Sequence, residues 1–325
     1  MHAALPGFHD VLDAAARIAV HAHATPVLRS RALDEAAATG LHFKAEHLQR
    51  AGAFKFRGAC NAVFALDDAT AARGVVTHSS GNHGAALALA ARLRGIPCHV
   101  VVPEGAVRAK RAAIAHYGAV LHACAPTIAA REAACARVQA ETGARVVHPY
   151  TDARVIAGQG TAALELLREA PDLDAVVVPL GGGGLAAGTA LAVRALAPAC
   201  ALFLAEPEGA ADGARSFARG ALDHDFVPDT VCDGLRGTLG APNFALLRAA
   251  GARVLTVDDA RTVAAMRLLW TRTKQLVEPS SAIALAAVLA HPALFAGRRV
   301  GIVLSGGNVD LDALPALFAL AGDAA

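Results

Sequence analysis

Short apolar runs alternate with longer stretches rich in alanine and leucine along most of the chain. The short runs, which are rich in β-branched residues, predict strands over 74–77, 97–102, 119–122, 144–147, 174–178, 201–206, 252–257 and 299–304. The longer stretches predict helices, for example over 82–93 and 107–117. Continuous apolar strands separated by helices indicate βαβ units, in which helices cover both faces of a parallel sheet. The pattern therefore predicts an α/β fold.

Two hydrophobic stretches have few or no charges, as a membrane-spanning helix does. Residues 175–193 carry no charge, but Pro179 and four consecutive glycines lie in their middle, where a lipid-exposed helix does not tolerate such a break. Residues 281–290 are too few to cross a bilayer. The N-terminal segment lacks the basic region that opens a secretory signal. We therefore expect neither membrane insertion nor secretion.

Composition excludes several classes of protein. The 325 residues are enough for about two domains or lobes. A content of 55% hydrophobic and 18% charged residues is incompatible with disorder. The 30 basic and 28 acidic residues give a net charge of +2, so neither nucleic acid nor a membrane surface is an expected partner.

The six cysteines are scattered and include no CxxC pair, which is typical of reduced thiols and predicts a cytoplasmic protein. The 14 histidines show no HExxH or comparable spacing, so a histidine-based metal centre is not expected.

Lys55 is flanked by Phe54 and Phe56 at the start of a predicted helix. Apolar surroundings lower the pKa of a lysine because burial disfavours the charged form. Such an amine can form a Schiff base with a carbonyl compound. On its own, the segment is more typical of a surface lysine whose stem packs on the aromatic rings.

The glycine run 181–184 follows a predicted strand and precedes a helix. Such a loop allows backbone N–H groups to approach a phosphate closely. It is not a Walker loop, and it fits the GxGxxG dinucleotide motif poorly because position 187 is alanine. In that second interpretation, Glu206 would be the acid that binds the ribose. A tight structural turn is the third interpretation.

Two further turns carry small polar residues at the carboxyl ends of predicted strands. The segment 79–84 reads SSGNHG and opens a helix, whose free N–H groups can bind an anion or be capped by a side chain. The segment 305–308 reads SGGN, and the hydroxyl of Ser305 could bond to a ring nitrogen. Ligands of open α/β sheets bind beyond these strand ends.

These four segments, in this order, make the chain similar to the fold-type II pyridoxal-phosphate enzymes, in the branch of the serine/threonine dehydratases and serine racemases. The resemblance runs from about Thr25 to the C-terminus and includes HP at 148–149, AGQGT at 157–161 and EP at 278–279. It implies a fold like that of the tryptophan synthase β subunit, with two open, twisted, mainly parallel sheets and the cofactor between two lobes. Residues 1–67 and 148–325 would form the large cofactor-binding domain, and 68–147 the small mobile domain.

The resemblance also implies roles for individual residues. Lys55 would bind pyridoxal 5'-phosphate covalently and act as the base at the substrate Cα, and Ser80 would act on the opposite face of Cα. The remaining cofactor contacts would be Phe54, Asn82, Gly181, Gly182, Gly183, Gly184 and Ser305. The substrate carboxylates would be bound by Ser79, Ser80, His83 and Arg131. Arg131, His83 and the segment 148–150 are where a second substrate carboxylate could be recognised.

A metal site is a further implication of the resemblance. Glu206, the backbone carbonyl of Ala210 and Asp212 would bind Mg²⁺ or Ca²⁺, since an all-oxygen ligand set suits a hard cation. Two features differ from the family pattern. Ala53 stands where many relatives have serine. We also expect no C-terminal regulatory domain of the kind that gives the biosynthetic threonine enzymes feedback control.

The leading hypothesis for function is an ammonia-lyase, or dehydratase, that converts L-threonine or L-serine into a 2-oxo acid and ammonia by α,β-elimination. Serine racemase and 3-hydroxyaspartate dehydratase are alternatives on the same site. An NAD-dependent oxidoreductase and a non-catalytic amino-acid sensor are remote alternatives, because Lys55 and the segment 79–84 would then have no role. By resemblance, the protein is expected to act on a small amino acid and to form a homodimer.

Overall fold

The chain folds around two separate sheets. The computed structural model describes residues 5–79, 81–105, 108–225 and 227–321, so Ser80 lies outside the described residues. The strands are β1 (Val27–Leu28), β2 (Gly40–Lys44), β3 (Val75–Thr77), β4 (Cys98–Pro103), β5 (Val120–Cys124), β6 (Arg145–Val146), β7 (Ala175–Pro179), β8 (Ala201–Pro207), β9 (Arg253–Val257) and β10 (Arg299–Val303).

The larger sheet has the strand order β1-β2-β10-β7-β8-β9, and the smaller one has the order β5-β4-β3-β6. All strand pairs are parallel except β1 with β2. The strands of the smaller sheet lie within residues 75–146, and those of the larger sheet come from both sides of that segment. This arrangement confirms the predicted α/β fold with two mainly parallel sheets. The division into a large and a small mobile domain stays a prediction.

Helices precede, follow and separate the strands. They are α1 (Phe8–Ile18), α2 (Arg31–Ala37), α3 (Lys55–Phe64), α4 (Asp68–Ala72), α5 (Asn82–Arg94), α6 (Arg108–His116), α7 (Ile128–Thr142), α8 (Ala153–Glu169), α9 (Gly184–Leu196), α10 (Asp212–Arg219), α11 (Ala241–Ala249), α12 (Asp259–Thr273), α13 (Pro279–Ala290), α14 (Pro292–Phe295) and α15 (Leu314–Leu320). None of the helices over the described ranges combines the length and hydrophobicity that crossing a membrane requires.

The central strands are apolar because helices cover both of their faces. β7 reads AVVVP and is buried at every position. One of its faces packs in a cluster with α13, and the other packs with α8 and α9. A strand that helices cover on both faces has no contact with water, so its sequence is apolar at every position and not at alternate ones.

Helix α3 approaches α8 closely enough that only glycine fits at the contact. A Cβ atom on Gly58 would lie 2.4 Å from Nε2 of Gln159, and one on Gly158 would lie 2.6 Å from the Cα of Gly58. The backbone N–H of Gly58 also donates to Oε1 of Gln159 at 3.0 Å. This contact fixes the first turns of α3, the helix that Lys55 begins.

Each of the eight predicted strands is present to within about two residues, but the sequence pattern did not reveal β1 and β2. β2 ends in Lys44, whose side chain is 1% exposed. β2 reads GLHFK, so His42 interrupts and Lys44 ends the apolar run by which a parallel strand is recognised. β1 has only two residues and is antiparallel, so it carries too little pattern to be detected.

Candidate active site

Lys55 is the first residue of α3, and the strand-like contacts just before it fix its position. Ala53 forms an isolated bridge with Gly306, and the N–H of Phe54 donates to the carbonyl of Ser305 at 2.9 Å. The Nζ of Lys55 donates to the carbonyl of Pro149 at 2.9 Å and lies 5.1 Å from the centre of the Phe54 ring. Burial lowers the pKa of Lys55 to about 8, although the negative charge of Glu278 opposes the shift. A neutral, nucleophilic amine is therefore accessible near neutral pH.

The glycine run connects the end of β7 to the start of α9. Gly183 has φ +88°, in the left-handed region that favours glycine. A Cβ atom on Gly182 would lie 2.4 Å from Cγ of Tyr150, and one on Gly181 would lie 2.8 Å from Cα of Leu235. Asn243 holds the run by donating to the carbonyl of Gly182 at 2.5 Å. The N-terminus of α9 and the residues just before it thus consist of glycine backbone without side chains, which suits a bound phosphate.

Asn82 begins α5 and links the two sheets. Its Nδ2 donates to Oε1 of Glu278 at 2.9 Å, and its Oδ1 accepts from Nδ2 of Asn308 at 2.9 Å. Ser305 is 3% exposed, and its hydroxyl makes a long hydrogen bond of 3.4 Å to the carbonyl of Ser280. Asn82 and Ser305 thus bond to Glu278 and Ser280, respectively, near the start of α13.

Sequence reasoning assigned no role to Glu278 or Asn308, although both lie in segments that it quoted. Glu278 is 3% exposed and follows a fully buried valine. A carboxylate directly before the first turn of an apolar helix is the signal that could have singled it out.

Three histidines lie around Lys55 at the carboxyl end of the smaller sheet. His83 is buried, with Nε2 3.2 Å from the carbonyl of Val147, and its Nδ1 has no hydrogen-bond partner among the described residues. The rings of His78 and His148 are 5.3 Å apart in a T-shaped arrangement. Burial and the charge of Lys55 place the pKa of His83 well below its ordinary value, and burial with the neighbouring His78 and Lys55 lowers the pKa of His148 to about 4.

Arg131 approaches this group from α7. Its buried Nε has no hydrogen-bond partner among the described residues. Burial lowers the pKa of His78, and the charge of Arg131 adds to this effect while that of Glu132 opposes it. Ser79 is half-buried at the start of the same turn, and Ser80 lies outside the described residues. A buried guanidinium nitrogen without a partner among the described residues, beside histidines of lowered pKa, makes this side of the site suitable for an anion.

These residues fit pyridoxal phosphate. The amine of Lys55 has the lowered pKa that covalent attachment requires. The glycine run offers N–H groups to a phosphate, and Asn82 and Ser305 offer an amide and a hydroxyl to a ring. The structure brings Phe54 and Lys55 near Asn82 and the glycine run, and the roles of these residues toward the cofactor stay a prediction.

Glu206 and Asp212 lie apart from Lys55, at the end of β8 and the start of α10. Glu206 accepts from the N–H groups of Gly213 and Ala214 at 2.8 and 2.7 Å. Oδ2 of Asp212 accepts from Leu239, whereas its buried Oδ1 has no partner among the described residues. Burial raises the pKa of Glu206 to about 8 and also raises that of Asp212. No cluster of three or more acidic, histidine or cysteine side chains suited to a metal occurs within the described ranges.

Comparison with known proteins places this geometry in a family. A family model described as "Pyridoxal-phosphate dependent enzyme" matches residues 18–306. β-Hydroxyaspartate dehydratase of Paracoccus denitrificans is 50% identical, over 96% of this chain and 99% of the relative. Serine racemase of Arabidopsis thaliana is 46% identical, over 94% of both chains. The solved structure of maize serine racemase superposes with a TM-score of 0.93 at 43% identity, and the match covers 96% of this chain and 97% of the maize chain.

The family match supersedes the interpretation of the glycine run as a dinucleotide loop. It also agrees with the buried amine of Lys55, the glycine run before α9 and the polar side chain of Asn82, which lie in one region of the structure. The chain therefore belongs to the pyridoxal-phosphate dependent enzymes, in the fold-type II group that includes lyases and racemases of amino acids.

Proposed function

We propose that the protein is an ammonia-lyase for β-hydroxy amino acids and that it prefers 3-hydroxyaspartate to serine and threonine. The observation that carries the preference is Arg131, a partly buried arginine whose Nε has no hydrogen-bond partner within the described part of the chain, beside the neutral histidines near Lys55. Such a guanidinium can form charge-assisted hydrogen bonds to the second carboxylate of 3-hydroxyaspartate, but not to the methyl group of threonine or the hydrogen atom that serine has in its place. The names of relatives from Paracoccus denitrificans and Saccharomyces cerevisiae, the second an L-threo-3-hydroxyaspartate ammonia-lyase, support the same substrate class.

Binding orients the substrate before any bond breaks. The N-terminus of α5, which begins at Asn82, presents free N–H groups that suit the α-carboxylate. His83, directly after it, has an unpartnered buried Nδ1 that can bond to the same group. The second carboxylate then extends toward Arg131. When bound, pyridoxal phosphate supplies an electron sink that weakens the bond between Cα and its proton.

Lys55 performs the proton transfer. Its neutral amine removes the Cα proton, and the carbonyl of Pro149 keeps Nζ oriented by accepting a hydrogen bond from it. The β-hydroxyl takes up a proton and leaves as water, which gives an enamine. Its imine tautomer is then hydrolysed to a 2-oxo acid and ammonia. Closure of the segment 68–147 over the substrate would exclude water from this step, and we propose that it is the mobile part of the molecule.

The direct test is a comparison of substrates on the enzyme loaded with pyridoxal phosphate. Formation of 2-oxo acid and ammonia is measured with each stereoisomer of 3-hydroxyaspartate, L-serine, D-serine and L-threonine. We expect kcat/KM for one hydroxyaspartate isomer to exceed that for L-serine by at least about 10-fold, the usual value of a charge-assisted hydrogen bond. Equal or better turnover of serine or threonine would contradict the preference and restore the original leading hypothesis.

Serine racemisation is the second candidate, because relatives from Arabidopsis thaliana and Mus musculus are named serine racemases. Lys55 reaches only one face of Cα, so racemisation needs a second acid or base on the other face. Ser80 is the candidate. Ser80→Ala should abolish D-serine formation and preserve elimination from L-substrates, as measured by chiral chromatography beside the 2-oxo acid assay.

A divalent cation at Glu206, Ala210 and Asp212 is part of the proposal. The support is the unpartnered buried Oδ1 of Asp212 and the raised pKa values of both carboxylates, which a cation would reverse. A bound cation stabilises the folded state. EDTA should therefore lower the melting temperature, and Mg²⁺ or Ca²⁺ should restore it. An unchanged melting curve in both conditions would remove the metal from the proposal.

We also propose that the protein is a cytoplasmic homodimer. The six cysteines are buried free thiols, which supports a reducing compartment. The homodimer rests on the family resemblance alone, and sedimentation equilibrium of the loaded enzyme tests it.

A further inference from the structure

His148 lies at an edge of the smaller sheet that faces Lys55. It follows β6 by two residues, whereas His78 directly follows β3, and β3 and β6 are neighbouring parallel strands. Because parallel strands end at the same edge, the two rings meet there, with centroids 5.3 Å apart. Pro149, the next residue, accepts the hydrogen bond from Nζ of Lys55. His148 is therefore one residue away from the group that orients the reactive amine.

Two backbone amides determine which nitrogen of His148 carries the proton. Its Nδ1 accepts from the N–H of Thr151 at 3.1 Å and, more weakly, from the N–H of Tyr150 at 3.4 Å. An acceptor nitrogen must have a free lone pair, so this network assigns the ring proton to Nε2. A proton on Nδ1 would remove both of these hydrogen bonds and would point an N–H group at the two backbone N–H groups, which repel it. His148 is thereby held in the neutral form with a fixed donor at Nε2.

Burial and the charged groups nearby also favour the neutral form of His148. The titratable groups around the two rings are Lys55 from α3, His83 from α5, Arg131 and Glu132 from α7, and Tyr150. Burial, His78 and Lys55 together lower the pKa of His148 to about 4. A cationic histidine here would also hinder Lys55 from accepting a proton, because like charges in a partly desolvated cleft repel strongly. A neutral donor can bind an oxygen atom beside Lys55 without this repulsion.

Nε2 of His148 has no protein partner among the described residues, and the side chain is half-buried. We propose that His148 is a specificity-determining residue that donates Nε2–H, in its uncharged form, to an oxygen of the second substrate carboxylate. This inference rests on the proposed preference for 3-hydroxyaspartate. Arg131 supplies the charge that attracts the carboxylate, and His148 supplies a directional bond. Serine and threonine lack the accepting oxygen, so the donor contributes nothing to their binding.

Two substitutions separate the donor at Nε2 from the acceptor at Nδ1. His148→Asn retains an oxygen near the position of Nδ1, which preserves the bonds from Tyr150 and Thr151 and removes the donor. His148→Gln retains an N–H group near the position of Nε2 and removes the acceptor. His99→Asn is the matched control. It makes the same change near the amino end of β4, in a histidine that bonds to His122 at 3.1 Å.

The measurement uses succinate as an unreactive dicarboxylate and propionate as its monocarboxylate control. Calorimetric titration of the loaded enzyme should show that His148→Asn weakens succinate binding about 10- to 100-fold, the value of one hydrogen bond to a charged group. Propionate binding should stay within about 3-fold of the wild type, as should both ligands in His99→Asn. His148→Gln should be less stable to heat but should recover part of the succinate affinity.

A second readout does not depend on any ligand. In enzyme labelled with ¹⁵N at histidine, the ring nitrogen shifts of His148 should report the Nε2–H form and should not titrate between about pH 5.5 and 8. Titration near the ordinary histidine pKa, or unchanged succinate affinity in His148→Asn, would overturn the inference. Turnover of hydroxyaspartate with unchanged succinate affinity in His148→Asn would refute the role of His148 and leave the proposed function standing. Succinate binding that depends on His148, without hydroxyaspartate turnover, would support His148 and refute the proposed reaction.

Discussion

Two cationic regions lie next to the first turn of α3, and they differ in the partner that each positive charge has. The first, which we term the ionic cluster, consists of Lys44, Glu46, Arg57 and Glu165. Arg57 makes paired hydrogen bonds of 2.7–2.8 Å to both carboxylates, and Nζ of Lys44 donates to Glu165 at 2.6 Å. Each cation in this cluster therefore has a carboxylate partner, and each carboxylate accepts charge-assisted hydrogen bonds.

The second region is the surroundings of Lys55, two residues before Arg57. Its amine bonds to a neutral carbonyl, and burial lowers its pKa to about 8. In the ionic cluster, burial alone would raise the pKa of Glu165, but Arg57 and Lys44 lower it. The difference shows that a carboxylate partner stabilises the charged form of a buried cation, which then contributes to the fold. A carbonyl partner stabilises the charged form less, so the amine can lose its proton and react as a nucleophile or base.

Removing Lys55 should give the largest effect on activity. Lys55→Ala should lower kcat/KM by about 10⁴-fold or more, because the substrate base and the site of covalent cofactor attachment disappear together. Cooperative unfolding and the far-ultraviolet circular dichroism spectrum should be retained, since the one hydrogen bond that the amine makes among the described residues is to the carbonyl of Pro149. Substantial elimination with an unchanged visible spectrum of the bound cofactor would show that the region is not catalytic.

Removing Arg57 should instead affect stability. Arg57→Met leaves Glu46 and Glu165 without their shared cation, and loss of one partner in a buried ion pair costs about 3–5 kcal/mol of unfolding free energy. Urea denaturation gives this value. Arg29→Met is the matched control, because Arg29 pairs with Asp34 at an exposed position, where an ion pair contributes less than about 1 kcal/mol. Equal losses in both variants would contradict a structural role for the ionic cluster.

Gly182→Ala tests whether the cofactor region tolerates a single methyl group. The added Cβ would lie 2.4 Å from the ring of Tyr150, so either the ring or the loop must move. We expect affinity for pyridoxal phosphate to fall about 10- to 100-fold, as is usual when a loop is displaced by about 1 Å. Gly7→Ala provides the control, since its Cβ would meet only an atom of Asp10 at 4.0 Å. Equilibrium binding to the apoprotein measures both.

The smallest expected effect is the pH dependence of cofactor attachment. Only the neutral amine of Lys55 attacks a carbonyl group, and burial lowers its pKa to about 8. The rate of covalent attachment to the apoprotein should therefore rise about tenfold per pH unit below pH 8 and level off above it. Stopped-flow absorbance follows the reaction. A rate that still rises tenfold per unit up to pH 10 would show an ordinary lysine and remove the contrast between the two regions.

Much of this protein could be predicted from local sequence. Apolar runs marked eight of the ten strands, because a strand buried on both faces must be apolar along its length. The glycine run and Lys55 were also recognisable, since a close approach to a phosphate and an apolar setting for an amine leave marks within a few residues. The order of these motifs along the chain then identified the family.

Other features depend on residues that are distant in sequence, and only the tertiary structure decided them. Lys44 and Glu165 are separated by 121 positions, and Asn82 and Glu278 by 196. In the sequence, each of these four polar residues resembles an ordinary surface residue, because the sequence does not state which partner folding will bring within 3 Å. The neutral form of His148 likewise follows from its distance to two backbone amides. Sequence determined which chemical groups this protein has, and folding decided which of them stay charged, because burial and partner distance set the cost of each charge.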